Sequence, residues 1–232
     1  MKILCVADDL DSLVYSEHIK DHYGDVDVVI SAGDLSLKYY GFIVSSLNKP
    51  MYYVFGNHNL QCYKHLYKNE HYGINEDVLI TSDTTDFCGA ELVDGKIVRD
   101  KKTGLIIAGL GGSFRYNKGE HQFTERQMMK KIYKMIPHLL YNKMRYGKYL
   151  DILLTHAPPL GIGDDVDKCH RGFSAFLTFM EWFEPKYLLH GHVHLTDSNA
   201  KRETTFHRTK VINVYKKFVI DDDTLGKKRG AK

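Results

Sequence analysis

The chain has 232 residues, of which 43% are hydrophobic and 26% are charged, as in an ordinary globular protein. Its formal net charge of +3 is small for this length and gives no strong argument for a nucleic acid or a membrane surface as partner. The cysteines, at positions 5, 62, 88 and 169, form no Cys-x-x-Cys pair, which argues against a zinc ribbon or a redox dithiol and predicts reduced thiols in the cytoplasm. The apolar run at the N-terminus is too short for a signal peptide or a membrane span, so no membrane partner is expected.

Short apolar runs alternate along the chain with longer amphipathic stretches, which predicts a layered α/β fold. The predicted strands are 3–7, 26–34, 51–59, 96–99, 105–112, 149–159 and 186–194, followed by an antiparallel pair at 204–208 and 211–215. The predicted helices are 12–23, 39–48, 124–146 and 172–183, with Thr124 as the N-cap of the third. No linker rich in Pro, Gly or Ser divides the chain, so we expect one domain over residues 1–220 and a polar, flexible tail at 221–232.

One strand after another ends in a side chain that is able to bind a metal ion. These residues are Asp8, Asp34, Asn57 with His58, His156, and His192 with His194. In open α/β sheets the ligand crevice lies outside the carboxyl ends of the strands, so residues far apart in sequence converge there. Carboxylate, amide oxygen and imidazole together suit manganese, iron, zinc, cobalt or nickel. We therefore expect two divalent metal ions bridged by one aspartate, and favour manganese.

Taken singly, these residues have structural alternatives. Asp34 could be a helix cap or a turn residue, and Asn57 could be a turn residue after glycine. His156 could serve only as a hydrogen-bonding group in the interior. Five coincidences at the same topological position favour a metal site over this set of separate explanations.

The segment 190–194 carries three histidines. Gly191 allows the backbone to approach the site closely, and an extended chain would turn His192 and His194 to the same side. His190 shares that side, but we interpret it as a supporting strand residue.

The order and spacing of these motifs resemble the calcineurin-like metallophosphoesterase superfamily over nearly the whole chain. The motifs are Gly-Asp at 33–34, Gly-Asn-His at 56–58, Thr-His at 155–156 and Gly-His-Val-His at 191–194. Segments 109–128 and 170–173 further resemble small bacterial members of the superfamily. The resemblance implies a four-layer α/β/β/α sandwich of two mixed β-sheets flanked by helices. It also implies hydrolysis of a phosphate ester by a metal-activated water or hydroxide.

The resemblance also implies a role for each of the strand-end residues. One metal ion would be held by Asp8, Asp34 and His194, and the second by Asp34, Asn57, His156 and His192, with Asp34 bridging. His58 would stabilise developing charge on the phosphate or protonate the leaving group. Arg115 and Arg171, with His170 beside the latter, are candidate substrate contacts because a guanidinium grips phosphate oxygens. For both arginines, a surface salt bridge or a solvated charge is the alternative.

The sequence departs from the superfamily pattern at two positions. The first motif is usually Asp-x-His, but here Leu10 takes the place of the histidine, a departure shared by the narrower bacterial group that the chain resembles. Asn59 stands where Asp or Glu is common, which removes a carboxylate expected to support His58. We therefore expect the first metal site to be the weaker of the two.

Three outcomes are open for that first site. A water completes the shell of the ion, Asp9 or Asp11 helps to hold it, or the ion binds only when substrate brings further oxygens. We favour the first outcome, because three protein ligands are enough for an open catalytic position.

The leading functional hypothesis is a metal-dependent phosphoesterase acting on a phosphodiester or phosphomonoester, such as a small or nucleotide-like molecule. A nuclease is a second enzyme hypothesis, but no basic stripe with interleaved aromatic residues indicates nucleic acid binding. A non-catalytic scaffold with an impaired first metal site, as in the retromer subunit of the same fold, is the third. The sequence does not determine the substrate or the oligomeric state.

Overall fold

The structure, a computed structural model, describes residues 1–58, 88–197 and 200–227. Asn59 and Cys62, both considered above, lie outside the described residues. Within them are thirteen strands and four helices. In chain order they are β1 (Lys2–Ala7), α1 (Ile19–Tyr23), β2 (Val28–Ser31), α2 (Leu37–Leu47), β3 (Met51–Tyr53), β4 (Glu91–Leu92), β5 (Ile97–Arg99), β6 (Ile106–Leu110), β7 (Ser113–Phe114), β8 (Gln122–Phe123), α3 (Glu125–Tyr146), β9 (Ile152–Thr155), α4 (Ser174–Phe183), β10 (Tyr187–His190), β11 (Glu203–Phe206), β12 (Thr209–Asn213) and β13 (Lys216–Asp221).

Two large mixed sheets contain most of the strands. The first sheet has the order β13-β1-β2-β3-β4, in which β1 runs parallel to β2 and antiparallel to β13. The second has the order β11-β12-β10-β9-β6-β5, in which β12, β10, β9 and β6 are parallel. The short strands β7 and β8 form a separate pair.

Alternating side chains along the strands divide the core into layers. In β1, Ile3, Cys5 and Ala7 face the other sheet, whereas Leu4 and Val6 face the layer that contains α1 and α2. The second sheet alternates in the same way between the first sheet and the layer of α3 and α4. Helices therefore cover the outer face of each sheet, which confirms the predicted four-layer α/β/β/α arrangement.

The longest helix begins and ends as the sequence predicts. The Thr124 hydroxyl accepts a hydrogen bond from the Gln127 N–H, and the Gln127 side chain accepts one from the Thr124 N–H, which together form a capping box. Gly147 ends the helix in the left-handed conformation. Among the described helices, none combines the length and the apolar content needed to cross a membrane.

The predicted helix at 12–23 is shorter in the structure. One carboxylate oxygen of Asp11 accepts hydrogen bonds from the N–H groups of Leu13 and Val14, at 3.0 and 3.2 Å. This aspartate therefore caps a local turn, as Asp often does outside regular helices, and α1 begins only at Ile19.

The C-terminal part of the chain contains a strand that the sequence analysis missed. The predicted antiparallel pair is confirmed as β11 and β12, but β13 follows it and pairs along the whole of β1. The chain stays packed beyond residue 220, because the Asp222 N–H donates to the Met1 carbonyl at 2.9 Å and Leu225 is buried in the core between the sheets. Residues 221–227, part of the predicted tail, thus belong to the folded unit, and 228–232 lie outside the described residues.

Candidate metal centre

Strand ends from both sheets meet at one edge of the molecule. Asp8 follows β1 and Asp34 lies three residues after β2 in the first sheet, whereas His156 follows β9 in the second sheet. Ligand-competent atoms of these three residues all lie within 4.8 Å of one another. The predicted convergence of remote strand ends is therefore present for these residues.

His156 lies at the centre of this cluster and is fully buried. Its Nδ1 donates to the Ala32 carbonyl at 2.8 Å, so Nε2 is the nitrogen that can bind a metal ion once its proton is lost. Nε2 lies 3.2 Å from Asp34 Oδ2 and 3.0 Å from Asn57 Oδ1. Ligands at about 2 Å from a common ion are separated by about 3 Å, so each of these two distances is compatible with a shared cation.

Three of the residues around the centre have a left-handed backbone, which is uncommon outside glycine. The φ angles of Asp8, Asp34 and His192 are 66°, 56° and 67°, and such conformations cost on the order of 1–3 kcal/mol each. Hydrogen bonds between the loops offset the cost of these backbone conformations. The His192 N–H lies 3.0 Å from both carboxylate oxygens of Asp8, and the His58 N–H donates to Asp34 Oδ1 at 2.9 Å.

Two glycines let the loops approach one another at the centre. A Cβ on Gly56 would lie 2.0 Å from Asp34 Oδ1, and a Cβ on Gly191 would lie 2.4 Å from Asp8 Oδ2. No side chain fits at either position without displacing a carboxylate. The close approach predicted at Gly191 is confirmed.

The electrostatic field at the centre favours a positive charge. Burial raises the pKa of Asp8 to about 7. Burial also acts against ionisation of Asp34, but the neighbouring His156 and hydrogen bonds outweigh it and lower the pKa of Asp34 to about 2. Burial likewise opposes the imidazolium of His156, yet the charges of Asp34 and Asp8 raise its pKa to about 9. A cation between these carboxylates would be stabilised in the same way, which is the electrostatic requirement of a metal site.

Of the two predicted histidine ligands after β10, His192 adjoins this cluster, whereas His194 is not in the group whose ligand atoms lie within 4.8 Å of one another. The ring of His192 lies 4.8 Å from that of His156, and its Nε2 donates to the Cys169 carbonyl at 2.7 Å. Burial, and then the charge of His156, lower the pKa of His192 to about 3, so its imidazole is neutral and Nδ1 can bind a metal. His194 is exposed and stacks on Tyr215 with ring centroids 4.9 Å apart.

The acidic end of β1 is partly neutralised by lysines of the strand that the sequence analysis missed. Lys216 Nζ lies 3.2 Å from Asp9 Oδ2, and Lys217 Nζ lies 3.0 Å from Asp11 Oδ1. These pairs disfavour the alternative in which Asp9 or Asp11 supplements the first metal site. Leu10 between them is 47% exposed.

The predicted substrate contacts differ in their surroundings. The Arg115 guanidinium donates to the Gln122 carbonyl and the Gln127 side chain, at 3.3 and 3.2 Å, where it supports the start of α3.

The Arg171 guanidinium lies over the Phe114 ring at 4.8 Å. The His170 ring lies 5.1 Å from that of His192, so this histidine adjoins the centre. The side chain of His58 is exposed, as a group that contacts substrate must be.

Sequence reasoning missed three supporting residues of the site: Tyr116, Cys169 and Tyr215. The Tyr116 hydroxyl accepts a hydrogen bond from Asn57 Nδ2 at 3.1 Å, and the Cys169 carbonyl binds His192. Tyr215 carries the stacked ring of His194. The only signal near them was position: Tyr116 adjoins Arg115, Cys169 adjoins His170, and Tyr215 ends a predicted strand.

Comparisons of the sequence and the fold with known proteins identify the family of the chain. Residues 1–195 match the sequence model of a family described as calcineurin-like phosphoesterase. The protein TT1561 of Thermus thermophilus has a similar fold, with a TM-score of 0.59 at 12% identity over 92% of this chain and 88% of that chain. A second solved structure has a TM-score of 0.58 at 12% identity over 92% of this chain and 90% of that chain. None of the curated proteins matches the chain. The match over residues 1–195 shows that the chain belongs to the calcineurin-like phosphoesterase family.

Proposed function

We propose that the chain is a metal-dependent hydrolase of a phosphodiester or a phosphomonoester. The observation that carries the proposal is the cluster of Asp8, Asp34 and His156, whose ligand atoms lie within 4.8 Å at strand ends from both sheets. A cluster of buried carboxylates and imidazole on strained backbone is costly unless a cation stabilises it. Such a cost is expected where the cluster is needed for function.

Two divalent ions would be held at this centre. In the proposed assignment, Asp8, Asp34 and His194 hold one ion, whereas Asp34, Asn57, His156 and His192 hold the other. The mixture of oxygen and nitrogen donors suits manganese, with iron, zinc, cobalt or nickel as alternatives. When bound, the ions would activate a water molecule for attack on phosphorus.

Side chains at the opening of the centre would handle the phosphate. The backbone of His58 is fixed by its hydrogen bond to Asp34 while its imidazole is exposed. From there it can donate a proton to the leaving oxygen or a hydrogen bond to the developing charge. Arg171, supported on the ring of Phe114, presents a planar set of N–H donors that suits phosphate oxygens. The contacts of Arg115 with α3 favour its structural alternative.

Hydrolysis assays on metal-stripped protein test the proposal. We expect added Mn²⁺ to restore hydrolysis of a bis-aryl phosphate or an aryl monophosphate, and elemental analysis to find two ions per chain. Asp34→Asn should lose metal and activity, whereas Asp21→Asn, the same change at an exposed residue, should keep both. The enzyme hypothesis would be refuted if neither ester is hydrolysed with any divalent ion and less than one ion is bound per chain. The hypothesis of a non-catalytic scaffold would then remain. Turnover of DNA or RNA alone would favour the nuclease.

A further inference from the structure

Two residues that hold no proposed role each hydrogen-bond to one of the proposed metal ligands. Asn57 Nδ2 donates to the Tyr116 hydroxyl at 3.1 Å. The carbonyl of Cys169 accepts from His192 Nε2 at 2.7 Å. Tyr116 and Cys169 therefore contact Asn57 on one side of the centre and His192 on the other.

The hydrogen bond to Tyr116 shows which end of the Asn57 amide faces the centre. The Tyr116 hydroxyl accepts from Nδ2, so the NH₂ group of the amide is directed to Tyr116, and Oδ1 lies 3.0 Å from His156 Nε2. Only the oxygen end of an amide can bind a cation, so this orientation is the competent one.

Cys169 selects the nitrogen of His192 that is able to bind a metal. Because its carbonyl accepts the Nε2 proton, the lone pair remains on Nδ1. The position of Cys169 is itself held by its loop. Its N–H donates at 2.7 Å to Asp167, whose carboxylate also binds the backbone and ring of His170.

We infer that Tyr116 and Cys169 are positioning residues that orient Asn57 and His192 as ligands of one metal ion. The inference rests on the proposed metal assignment and adds to it the residues that set the orientation of two ligands. Neither residue takes part in the bond changes of hydrolysis. Both come from loops, one after β7 and one between β9 and α4, so the second metal site would be assembled by loop packing as well as by strand ends.

Metal binding by the full-length chain tests the inference without measuring hydrolysis. We expect Tyr116→Phe to weaken Mn²⁺ at one site by ~10–100-fold, the usual cost of losing a group that orients a ligand, and to leave the other site within about twofold. The visible spectrum of the Co²⁺ protein should change, because the coordination geometry is altered. Tyr133→Phe, on the exposed face of α3, is the matched control and should bind both ions as the wild type does.

A pair of Asp167 variants tests the role of Cys169. Asp167→Ala removes the carboxylate that accepts the Cys169 N–H, so we expect it to loosen the carbonyl that binds His192 and to weaken the same metal site as Tyr116→Phe. Asp167→Asn keeps an acceptor oxygen at this position and should bind both ions nearly as the wild type does. This pair tests the inference even if Tyr116→Phe does not fold.

An Asn57→Asp background separates amide orientation from general packing. A carboxylate presents oxygen at both ends, so Tyr116→Phe should weaken metal binding much less there than in the Asn57 background. Equal losses in both backgrounds would overturn the inference, as would two unchanged metal sites in Tyr116→Phe or equal weakening by Asp167→Ala and Asp167→Asn. A wild type that binds no metal would instead overturn the metal assignment, and this inference with it.

Discussion

Replacement of Gly56 by alanine should displace the proposed bridging carboxylate directly. The added Cβ would lie 2.0 Å from Asp34 Oδ1, 2.3 Å from Asp34 Cγ and 2.7 Å from His156 Cε1. Because non-bonded atoms rest at about 3.5–4.0 Å, the carboxyl group has to move by more than about 1 Å. Such overpacking costs about 1–3 kcal/mol in the free energy of unfolding. A misplacement of this size in a reaction centre lowers turnover by about 100-fold.

Gly41→Ala is the matched control for this substitution. It lies in α2, where the nearest heavy atom to an added Cβ is Cys88 Cα at 3.9 Å, an ordinary contact. Alanine in a helix interior is about 0.5–1 kcal/mol more stable than glycine, so this variant should gain stability and keep its metal.

The assay combines urea unfolding, elemental analysis and turnover on both variants. Gly56→Ala should fall in all three measurements, whereas Gly41→Ala should fall in none. Wild-type metal content and turnover in Gly56→Ala would refute the reasoning, because the carboxylate of Asp34 could not then lie against this glycine.

Three further substitutions or conditions test single features of the centre. His58→Ala should lower turnover by at least ~100-fold while metal content stays intact, and a wild-type rate would contradict its role in proton transfer. Leu10→His should tighten the weaker metal site in a titration, and an unchanged curve would show that another group already completes it. In metal-stripped protein, His156 has a pKa of about 9 when folded against 6.5 as its ordinary value, so its stabilising proton is fully bound below pH 6.5 and is lost as pH rises towards 9. The free energy of unfolding should therefore fall over that interval, and His156→Gln should flatten the fall. Mn²⁺ competes with the same proton, so its apparent affinity should rise with pH up to about 9.

The sequence predicts the strand ends well because a short run of apolar residues is enough to identify a buried strand. An apolar run such as 3–7 has few alternatives to a buried strand, and parallel strands bring their carboxyl ends to one edge. The start of α3 is equally local, since Thr124 and Gln127 complete a capping box within four residues. These features need no knowledge of distant parts of the chain.

The features that the sequence did not reveal depend on long-range pairing. The segment of β13 mixes lysines, apolar residues and an aspartate, and its assignment as a strand requires pairing with β1 at the other end of the chain. The hydrogen bond from Asn57 to Tyr116 spans 59 residues and involves an aromatic hydroxyl that follows no periodic pattern. Such contacts are set by how loops pack after the sheets have formed, so single-residue patterns do not report them.

The acidic segment after β1 shows how local sequence patterns and long-range contacts combine. Three carboxylates there invite a cation, but Lys216 and Lys217 pair with Asp9 and Asp11 and leave Asp8 as the acid with a buried side chain. The N–H of Leu10 donates to Asp9 Oδ1, so the Asp9 carboxylate is further held in its lysine pair. In the proposed assignment the first ion then has Asp8, Asp34 and His194 as its protein ligands, and no imidazole at position 10 to complete its shell. An ion with so few protein ligands keeps positions open to a phosphate oxygen, which suits a substrate-binding ion better than a structural one.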